Sequence, residues 1–476
     1  MKETVSFIID GKQKQSKDVF EVINPFNGEY VATVFRPSAS DVEEAIQSAT
    51  RAFQSTKEMP SCQRSAILKK TVELIQKNKE SVARILCLET GKPIRHAKGE
   101  VGRALTTLTL ASEEVHRLEG EAIPLDITQN SGNRLGIVRR FPIGPVAGIS
   151  PFNFPLNLVC HKVAPALASG NSITLKPASS TPLSALRLGE ILLEAGALPG
   201  SCNIIPCTAE NAEKLVTDSR LKMITFTGNP KVGWAIKNKA GKKRVCLELG
   251  GNAAAVIEPD ADLDYVIKRS LLGAFAYAGQ ICISLQRLFV HHSIFDDFTD
   301  QFVKKTKLLK LGDPLKEETD VGPMITEREA QRAEKWIKEA VKEGAKILTG
   351  GQRGRTLVQP TVLTHVSPKS KVSCQEAFAP VVVLDSYKDF KEALKRVNDS
   401  FYGLQAGVFT RDIDKAFQAF RELDVGGVMI NDIPTYRVDH MPYGGVKDSG
   451  FGREGVRYAM EEMTERKIMV VNKALG

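Results

Sequence analysis

The chain has 476 residues, of which 42% are hydrophobic and 25% are charged. A domain usually has roughly 100–200 residues, so this length indicates two or three domains. The composition is that of a globular protein and excludes disordered, collagen-like and coiled-coil chains. The net charge of +9 is mild, and its basic clusters lack interleaved aromatic residues. We therefore expect a protein that binds neither nucleic acid nor a membrane.

Eight cysteines are scattered through the chain without a C-x-x-C pair or a zinc-type spacing to histidine. In a chain of this length they predict reduced thiols and no metal site. The first residues lack the apolar segment of a signal peptide, and no stretch reaches about 18 uninterrupted apolar residues. These features predict a cytoplasmic protein.

The first hundred or so residues predict short strands followed by helices. Strands are expected at residues 5–9 and 19–23. A helix follows, for which Ser40 and Glu43 form the expected capping box. A second helical region is expected over about residues 61–89.

From residue 138 onward, predicted strands alternate with predicted helices. Such alternation predicts a doubly wound parallel sheet, in which ligands bind beyond the carboxyl ends of the strands. A break near Gly250-Gly251 is the expected domain boundary, and residues 330–341 form the clearest later helix. The expected strands are 146–149, 172–175, 203–205, 223–226 and 244–249, and the expected helices are 158–167, 183–193, 211–216 and 232–236.

Two of these strand ends are followed by polar residues in apolar surroundings. Asn153 lies between Pro151 and Pro155. It is either a loop residue that satisfies backbone groups or a rigidly held amide donor for an oxyanion. Lys176 follows the next strand and is either a surface charge or a donor to ribose hydroxyls.

Gly228 and Gly233 form a G-x-x-x-x-G segment where a helix is predicted to begin. Free N–H groups and the helix dipole at such a point favour a phosphate. No Lys-Ser/Thr pair follows Gly233, and G-x-G-x-x-G is absent, so the segment is neither a P-loop nor the usual dinucleotide fingerprint.

Two further side chains are candidates for covalent chemistry. Glu248 lies inside an apolar strand, where burial would raise its pKa toward values useful to a general base, although an ion-paired structural role is the alternative. Cys282 lies in an apolar segment after Gly279, with no histidine nearby in sequence that could activate it. It is either a small buried hydrophobic residue or a nucleophile whose base is Glu248.

Together these segments resemble the aldehyde dehydrogenase superfamily over essentially the whole chain. The resemblance is carried by Pro151-Phe152-Asn153-Phe154-Pro155, Lys176-Pro177-Ala178-Ser179, Phe226-Thr227-Gly228, Glu248-Leu249-Gly250-Gly251, Gly279-Gln280-Ile281-Cys282, Glu376-Ala377-Phe378-Ala379-Pro380, and Pro442-Tyr443-Gly444-Gly445 with Ser449-Gly450.

The resemblance implies an α/β fold with a Rossmann-like NAD(P) domain, an α/β catalytic domain and a small β oligomerisation element. The NAD(P) domain would comprise residues 1–123 and 143–250, and the catalytic domain residues 251–450. Residues 124–142 and 451–476 would form the oligomerisation element, whose C-terminal strand pairs across a homodimer that can assemble further into a homotetramer.

By the same resemblance, Cys282 is the nucleophile that attacks an aldehyde, Asn153 donates to the oxyanion, and Glu248 activates water. Ser179 stands where many NAD-specific relatives have Glu, so NADP is expected to be accepted as well as NAD, unless Ser179 only caps the next helix. The residues implied in NAD or NADP binding are Ser150, Phe152, Lys176, Ser179, Thr227, Gly228, Asn229, Gly233, Leu249, Glu376 and Phe378.

Residues 435–442 resemble the same segment of lactaldehyde and non-phosphorylating glyceraldehyde-3-phosphate-type members. This implies a small hydroxylated or anionic aldehyde as substrate. Ile281 stands where glyceraldehyde-3-phosphate enzymes commonly have Arg, which argues against a phosphate group. Arg103 and Arg437 are predicted to supply positive charge at the substrate mouth, and ordinary ion pairing is the alternative for both.

Four other functions are weighed against this one. A succinate-semialdehyde type enzyme would use the same residues on another substrate. A CoA-acylating relative would not need the retained base Glu248, and an inactive protein on this fold would not need Cys282 or Asn153. An esterase would use Cys282 without a cofactor.

Overall fold

The structure is a computed structural model, and it describes residues 4–472. Residues 1–3 and 473–476, which the sequence analysis assigned to the NAD(P) domain and the oligomerisation element, lie outside the described residues. The described chain forms two large sheets covered by helices and a separate three-stranded sheet. The predicted α/β fold class is confirmed.

The first large sheet has eight strands, and its five central strands are parallel. The five central strands are those that the alternating pattern predicted, while antiparallel strands close both edges. From one edge to the other the strands are Gly450–Phe451, Arg244–Glu248, Met223–Thr227, Val146–Ile149, Ile173–Lys176, Cys202–Ile204, Phe7–Ile9 and Lys12–Lys14.

Helices cover this sheet and enclose the larger apolar core. The predicted helical region 61–89 is two helices, because the chain leaves the helical conformation at Asn78, whose side chain donates to the Leu74 carbonyl at 2.8 Å. The helices are Ala39–Thr56, Ser61–Lys77, Lys79–Thr90, Ile94–Glu114, Asn157–Ala168, Leu183–Glu194, Ala209–Thr217, Pro230–Lys239 and Val456–Glu462.

The predicted capping box of the first helix is wrong by two residues. Ser38 and Asp41 form the box, not Ser40 and Glu43. Ser38 has an extended backbone, as an N-cap requires, whereas Ser40 already lies in the first helical turn.

The second large sheet has seven strands and a second apolar core. Its strands are parallel except the first, which pairs antiparallel with its neighbour. In order they are Lys346–Thr349, Thr361–Thr364, Val381–Tyr387, Arg287–His291, Ala254–Ile257, Gln405–Phe409 and Gly427–Ile430. Its helices are Leu263–Phe275, Phe295–Thr306, Glu327–Lys342, Lys371–Cys374, Phe390–Asn398 and Ile413–Glu422.

The three-stranded antiparallel sheet comprises Glu121–Pro124, Arg134–Pro142 and the C-terminal strand Thr464–Asn472. Residues 450–462 do not belong to it. Gly450–Phe451 pairs with Arg244–Glu248, and Val456–Glu462 packs on Asn157–Ala168. The predicted C-terminal segment of the oligomerisation element, 451–476, therefore begins within the first sheet, and its own strand begins at Thr464.

The remaining elements are short. Within residues 4–472, no helix is long and apolar enough to cross a membrane. The remaining strands are Thr4–Val5, Val19–Ile23 and Tyr30–Phe35 in one sheet, and the pairs Arg353–Gly354 with Leu357–Val358 and Tyr402–Gly403 with Val446–Lys447. The 3-10 turns are Val115–Arg117, Ala276–Gly279 and His292–Ile294.

Candidate active site

The predicted strand-end residues lie together at one edge of the first sheet. The registers pair Ile149 with both Lys176 and Phe226, and Thr227 with Glu248. Since these strands are parallel neighbours, their carboxyl ends meet at the same edge. Ser150, Lys176, Thr227 and Glu248 therefore belong to one row, as the alternating pattern predicted.

The backbone before Cys282 is held in an uncommon conformation. Tyr277, Ala278 and Gly279 have φ values of 49°, 53° and 69°, all in the left-handed region. A Cβ at Gly279 would lie 2.2 Å from the Ala379 carbonyl oxygen, so only glycine fits there. Left-handed non-glycine residues are strained and persist where the surrounding structure holds them, often at functional sites.

Cys282 itself contacts a residue from a distant part of the chain. Its Sγ lies 3.0 Å from the Tyr443 hydroxyl. Burial raises the pKa of Cys282 to about 11, while the hydrogen bond from Tyr443 and the positive charge of Arg437 oppose that rise. The sulfur is thus a thiol at neutral pH, and its two neighbours favour the thiolate.

Asn153 links two loops of the site. Its side chain is buried, and Nδ2 donates to the carbonyl of Gln280 at 2.9 Å, two residues before Cys282. Its Oδ1 has no hydrogen-bond partner among residues 4–472. Because the amide has two N–H donors and this bond uses one, the other can donate to an oxyanion.

Glu248 is buried with 2% of its surface exposed, and neither carboxyl oxygen has a hydrogen-bond partner in the described part of the chain. Burial raises the pKa of Glu248 well above its ordinary value, and the nearby Glu454 raises it further. A Cβ at Gly444 would lie 3.0 Å from Oε1, so this glycine leaves room for the carboxyl. The side chain has the surroundings of a general base that holds a proton.

Glu454, unlike Glu248, contacts two buried cations. Lys162 Nζ lies 3.0 Å from Oε1, and Arg437 Nη2 lies 3.3 Å from Oε2. Burial would raise the pKa of Glu454, but these two charges lower it below its ordinary value. Lys162 also donates to Thr227 at 2.7 Å, so Thr227 is part of this buried cluster.

Glycine permits the helix Pro230–Lys239 to approach the sheet closely. A Cβ at Gly233 would lie 2.4 Å from Leu249 Cδ2. Asn229 caps the helix through a bond from the Lys231 N–H to its Oδ1 at 2.9 Å. Gly228 donates its N–H to the Glu248 carbonyl at 3.0 Å, which joins the helix start to the strand of the candidate base.

Glu376 and Phe378 lie in the loop that precedes the strand Val381–Tyr387 of the second sheet. Glu376 accepts the Gly251 N–H at 3.1 Å, and burial raises its pKa to about 7. A Cβ at Gly250 would lie 2.3 Å from Glu376 Oε2. The Phe378 ring meets the Phe152 ring edge-on, with centroids 5.8 Å apart.

The residues around the predicted adenosine ribose site differ in exposure. Lys176 is partly buried and donates to the Pro177 carbonyl at 3.1 Å, and burial lowers its pKa. Ser150 is buried, and its hydroxyl has no partner among residues 4–472. Ser179 is exposed in a turn.

The alternative role of Ser179 as a helix cap is wrong. The helix Leu183–Glu194 begins after Pro182, and a buried carboxylate from another helix satisfies its first N–H groups. Glu89 accepts from Leu183 at 2.8 Å and from Ser184 at 3.1 Å. Ser179 makes no capping bond to this helix, so its hydroxyl is not committed to that role.

Both predicted substrate arginines take part in ion pairs. Arg103 Nη2 lies 2.7 Å from Asp439 Oδ1, and Arg103 keeps about a third of its side chain exposed. Arg437 is buried, pairs with Glu454, and lies over the Tyr443 ring at 3.6 Å from its centroid. The structure therefore places Arg437 beside the residue that contacts Cys282.

Four residues that the sequence analysis gave no role contribute to this geometry, namely Lys162, Gln280, Tyr443 and Glu454. Lys162 had a usable signal, since a lysine in an otherwise apolar helix is seldom unpaired. Tyr443 lay in a quoted motif, but nothing in its neighbourhood in the sequence indicated contact with Cys282. Gln280 acts through its backbone carbonyl, which no side-chain pattern can reveal.

Residues 12–469 match the model of the aldehyde dehydrogenase family. The chain belongs to the aldehyde dehydrogenase family. It is 45% identical over 465 residues to a 3-sulfolactaldehyde dehydrogenase from Priestia aryabhattai, which covers 98% of this chain and 97% of that one.

Two solved structures extend the comparison. Aldehyde dehydrogenase 21 from Physcomitrella patens, solved with the reaction product succinate, has a TM-score of 0.98, 46% identity and 99% coverage of both chains. A glyceraldehyde-3-phosphate dehydrogenase from Methanocaldococcus jannaschii, complexed with NADP, has a TM-score of 0.92, 40% identity, and coverage of 96% of this chain and 99% of that one. This protein is thus an aldehyde dehydrogenase, an oxidoreductase of the aldehyde group.

Proposed function

We propose that this aldehyde dehydrogenase uses NAD or NADP to oxidise a small hydroxylated or anionic aldehyde to its carboxylate, with Cys282 as nucleophile. One observation carries the proposal. The Cys282 sulfur lies beside the Tyr443 hydroxyl, and the loop leading to it is bonded to Asn153, whose second N–H is free to donate. A nucleophile and an oxyanion donor held together in this way are what acyl chemistry at an aldehyde carbon requires.

The chain's own residues divide the reaction into two halves. Cys282 gives its proton to water, aided by Tyr443 and Arg437, which favour the thiolate, and its sulfur bonds to the aldehyde carbon. Asn153 donates an N–H to the oxygen of the resulting thiohemiacetal. A bound NAD(P) supplies the two-electron oxidation. Glu248, once ionised, takes a proton from a water molecule that attacks the thioester at Cys282, which releases the carboxylate.

The residues at the sheet edge fit a dinucleotide. The close approach of Gly233 to Leu249 holds the start of the helix Pro230–Lys239 against the sheet edge, where the positive end of the helix dipole favours a pyrophosphate. Lys176 and Ser179 would hold the adenosine ribose, Glu376 the nicotinamide ribose, and Phe378 would pack against the ring. The relative solved with NADP supports NADP as a cofactor.

Cofactor choice can be tested at Ser179. A carboxylate there would repel a 2′-phosphate by about 1 kcal/mol in water and about 4 kcal/mol where screening is partial. Because Ser179 is exposed, the lower repulsion energy of about 1 kcal/mol applies, which corresponds to about a fivefold change in kcat/KM. Ser179→Glu should lower kcat/KM for NADP by this factor while NAD is little affected, and Ser180→Glu, at the next exposed serine, is the matched control. An equal fall with both cofactors would show that Ser179 does not select between them.

The preference for an anionic aldehyde is supported by the charged side chains around the site. Arg103, Lys162 and Arg437 are opposed by two carboxylates, Asp439 and Glu454. The pKa of His161, which contacts Asp439 at 2.8 Å, is lowered by burial, so this histidine adds no charge at neutral pH. These three cations and two carboxylates leave one positive charge among them, and the 3-sulfolactaldehyde and succinate of the relatives both carry anionic groups.

The substrate assay is one panel of short aliphatic, hydroxy-, carboxy-, phospho- and sulfo-aldehydes, each measured with NAD and NADP. We expect an anionic aldehyde to exceed its neutral analogue at least tenfold in kcat/KM, about 1.4 kcal/mol. Arg437→Ala should remove that advantage, and Arg437→Lys should retain part of it. Equal use of neutral and anionic aldehydes by the parent would refute charge recognition.

The same panel separates the other activities. Succinate semialdehyde as the best substrate would favour the succinate-semialdehyde type, a candidate supported by the relative solved with succinate. Turnover that requires CoA would indicate the acylating reaction instead of hydrolysis. Ester cleavage without cofactor would indicate an esterase.

We also propose that the protein is a homodimer or homotetramer in the cytoplasm. Support for assembly comes from the strand Thr464–Asn472, an edge strand whose residues Ile468–Val471 are all exposed. An exposed apolar edge strand is an aggregation hazard unless another strand covers it. Light scattering should give a mass of at least two chains, and Val470→Lys should reduce it, whereas a monomeric parent would refute assembly.

A further inference from the structure

Lys92 is a fully buried cation that the proposed chemistry does not use. None of its surface is exposed, and its Nζ forms an ion pair with Glu100, which is also buried. The same nitrogen lies 3.9 Å from the centroid of the Phe154 ring and 4.7 Å from that of Tyr277. A cation between two aromatic faces is attracted to both, and more strongly when water is excluded.

The two rings belong to the two loops that carry the candidate oxyanion donor and the nucleophile. Phe154 directly follows Asn153, and Tyr277 begins the left-handed segment that leads to Cys282. The rings also meet each other edge-on, with centroids 6.3 Å apart. The Tyr277 hydroxyl donates to the carbonyl of Thr90 at 3.2 Å, two residues before Lys92.

Glu100 extends this arrangement to the far end of the Asn153 loop. Its Oε1 accepts the N–H groups of Leu156 and Asn157 at 3.0 and 3.1 Å, while its Oε2 faces Lys92. The helix Asn157–Ala168 has no side-chain cap of its own at this end. The ion pair thus fixes the loop at two points after Asn153, at Phe154 and at the start of the next helix.

We propose that Lys92 is a positioning residue that holds the Asn153 loop against the Cys282 loop, so that the amide donor and the sulfur face the same aldehyde carbon. It does not touch the substrate. An uncharged side chain of the same length would fill the space but lose the attraction to both rings, and it would leave Glu100 buried without its cation. The inference rests on the proposed roles of Asn153 and Cys282.

Two variants separate positioning from stability. Lys92→Met removes the cation at nearly constant volume, and Lys92→Met with Glu100→Gln also removes the carboxylate left unpaired. Lys92→Met alone should lower the thermal midpoint, and we expect the double variant to reverse most of that decrease. We expect both to show at least a tenfold slower first-turnover rate constant at saturating cofactor with enzyme in excess over aldehyde. The KM for cofactor should stay within twofold of the parent.

The rate constant at saturating enzyme is the informative readout, because partial unfolding lowers the concentration of active enzyme without changing this limiting value. Lys415→Met is the matched control, since Lys415 pairs with the buried Glu258 and its Nζ lies 5.7 Å from the centroid of the Phe390 ring, beside the second large sheet. It should lower the thermal midpoint and leave the rate constant unchanged. A double Lys92 variant that regains the parent rate together with its stability would overturn the proposal.

Phe154→Leu keeps the ion pair, removes one ring, and tests the idea even if the Lys92 variants do not fold. A first-turnover rate constant at least threefold lower is expected, and an unchanged one would refute the role of the rings. Failure of the underlying chemistry is distinguishable, because Cys282→Ala would then still form NAD(P)H in this assay.

Discussion

Replacing Asn153 by alanine tests the centre of the proposed mechanism. The side chain has two N–H donors, one of which is bonded to the Gln280 carbonyl at 2.9 Å. Loss of a single oxyanion donor costs about 2.7–4 kcal/mol of transition-state stabilisation, or roughly 10²–10³ in kcat. The variant also leaves the Gln280 carbonyl without its side-chain donor, which should lower the free energy of unfolding by about 1 kcal/mol.

The assay is the first-turnover rate of NAD(P)H formation, measured together with thermal unfolding and cofactor binding. Asn153→Ala should slow the first turnover at least a hundredfold while cofactor affinity stays near that of the parent. Asn153→Asp keeps the shape but places an acceptor where the oxyanion forms, so its loss should be larger. If Asn153→Ala slows the first turnover less than threefold, the Asn153 amide only shapes the loop.

Three further substitutions probe the groups around Cys282. Cys282→Ala should abolish NAD(P)H formation with cofactor binding intact, and activity above about 1% of the parent would contradict its assignment as nucleophile. Glu248→Gln should permit one turnover and then slow thioester hydrolysis, whereas unchanged steady turnover would make Glu248 structural. The pKa of Glu248 in the folded protein is raised above 4.5, so ionising this side chain costs the parent stability. As pH rises from about 4.5, the thermal midpoint of Glu248→Gln should therefore increase relative to that of the parent. A difference in thermal midpoint that does not change with pH would contradict this. Tyr443→Phe removes a hydrogen bond that lowers the pKa of Cys282, so turnover should fall about tenfold. The pH dependence of Cys282 alkylation, measured by peptide mass spectrometry, should shift to higher pH. An unchanged pH dependence would show that the Tyr443 hydroxyl does not assist ionisation of Cys282.

The fold was predictable from local pattern because parallel strands alternate with helices at a regular spacing. The predicted strand ends at residues 149, 226 and 249 lie within one residue of the observed ends at Ile149, Thr227 and Glu248, and the row of polar residues there followed from the same pattern. The exact start of the first helix did not follow. Ser38 and Ser40 are both good capping residues, and only the backbone conformation decides between them.

The site was predictable only where a residue's own surroundings in the sequence were unusual. Asn153 between two prolines and Glu248 before two glycines gave such signals. Tyr443 did not, because its contact with Cys282 joins residues 161 positions apart. Lys92 and Tyr277 likewise lie far apart in the sequence and meet only in the folded chain.

Glu248 and Glu454 show why residue type alone could not assign roles within the site. Both are buried carboxyls in one cluster, but Glu454 contacts Lys162 and Arg437 while Glu248 has no hydrogen-bond partner among residues 4–472. The cations hold Glu454 ionised, and that negative charge then helps to keep the proton on Glu248. Neighbouring carboxyls whose pKa values are pushed apart take different roles. Glu454 therefore acts as a fixed charge, and Glu248 is the carboxyl that can exchange a proton, so kcat should rise with pH as Glu248 ionises.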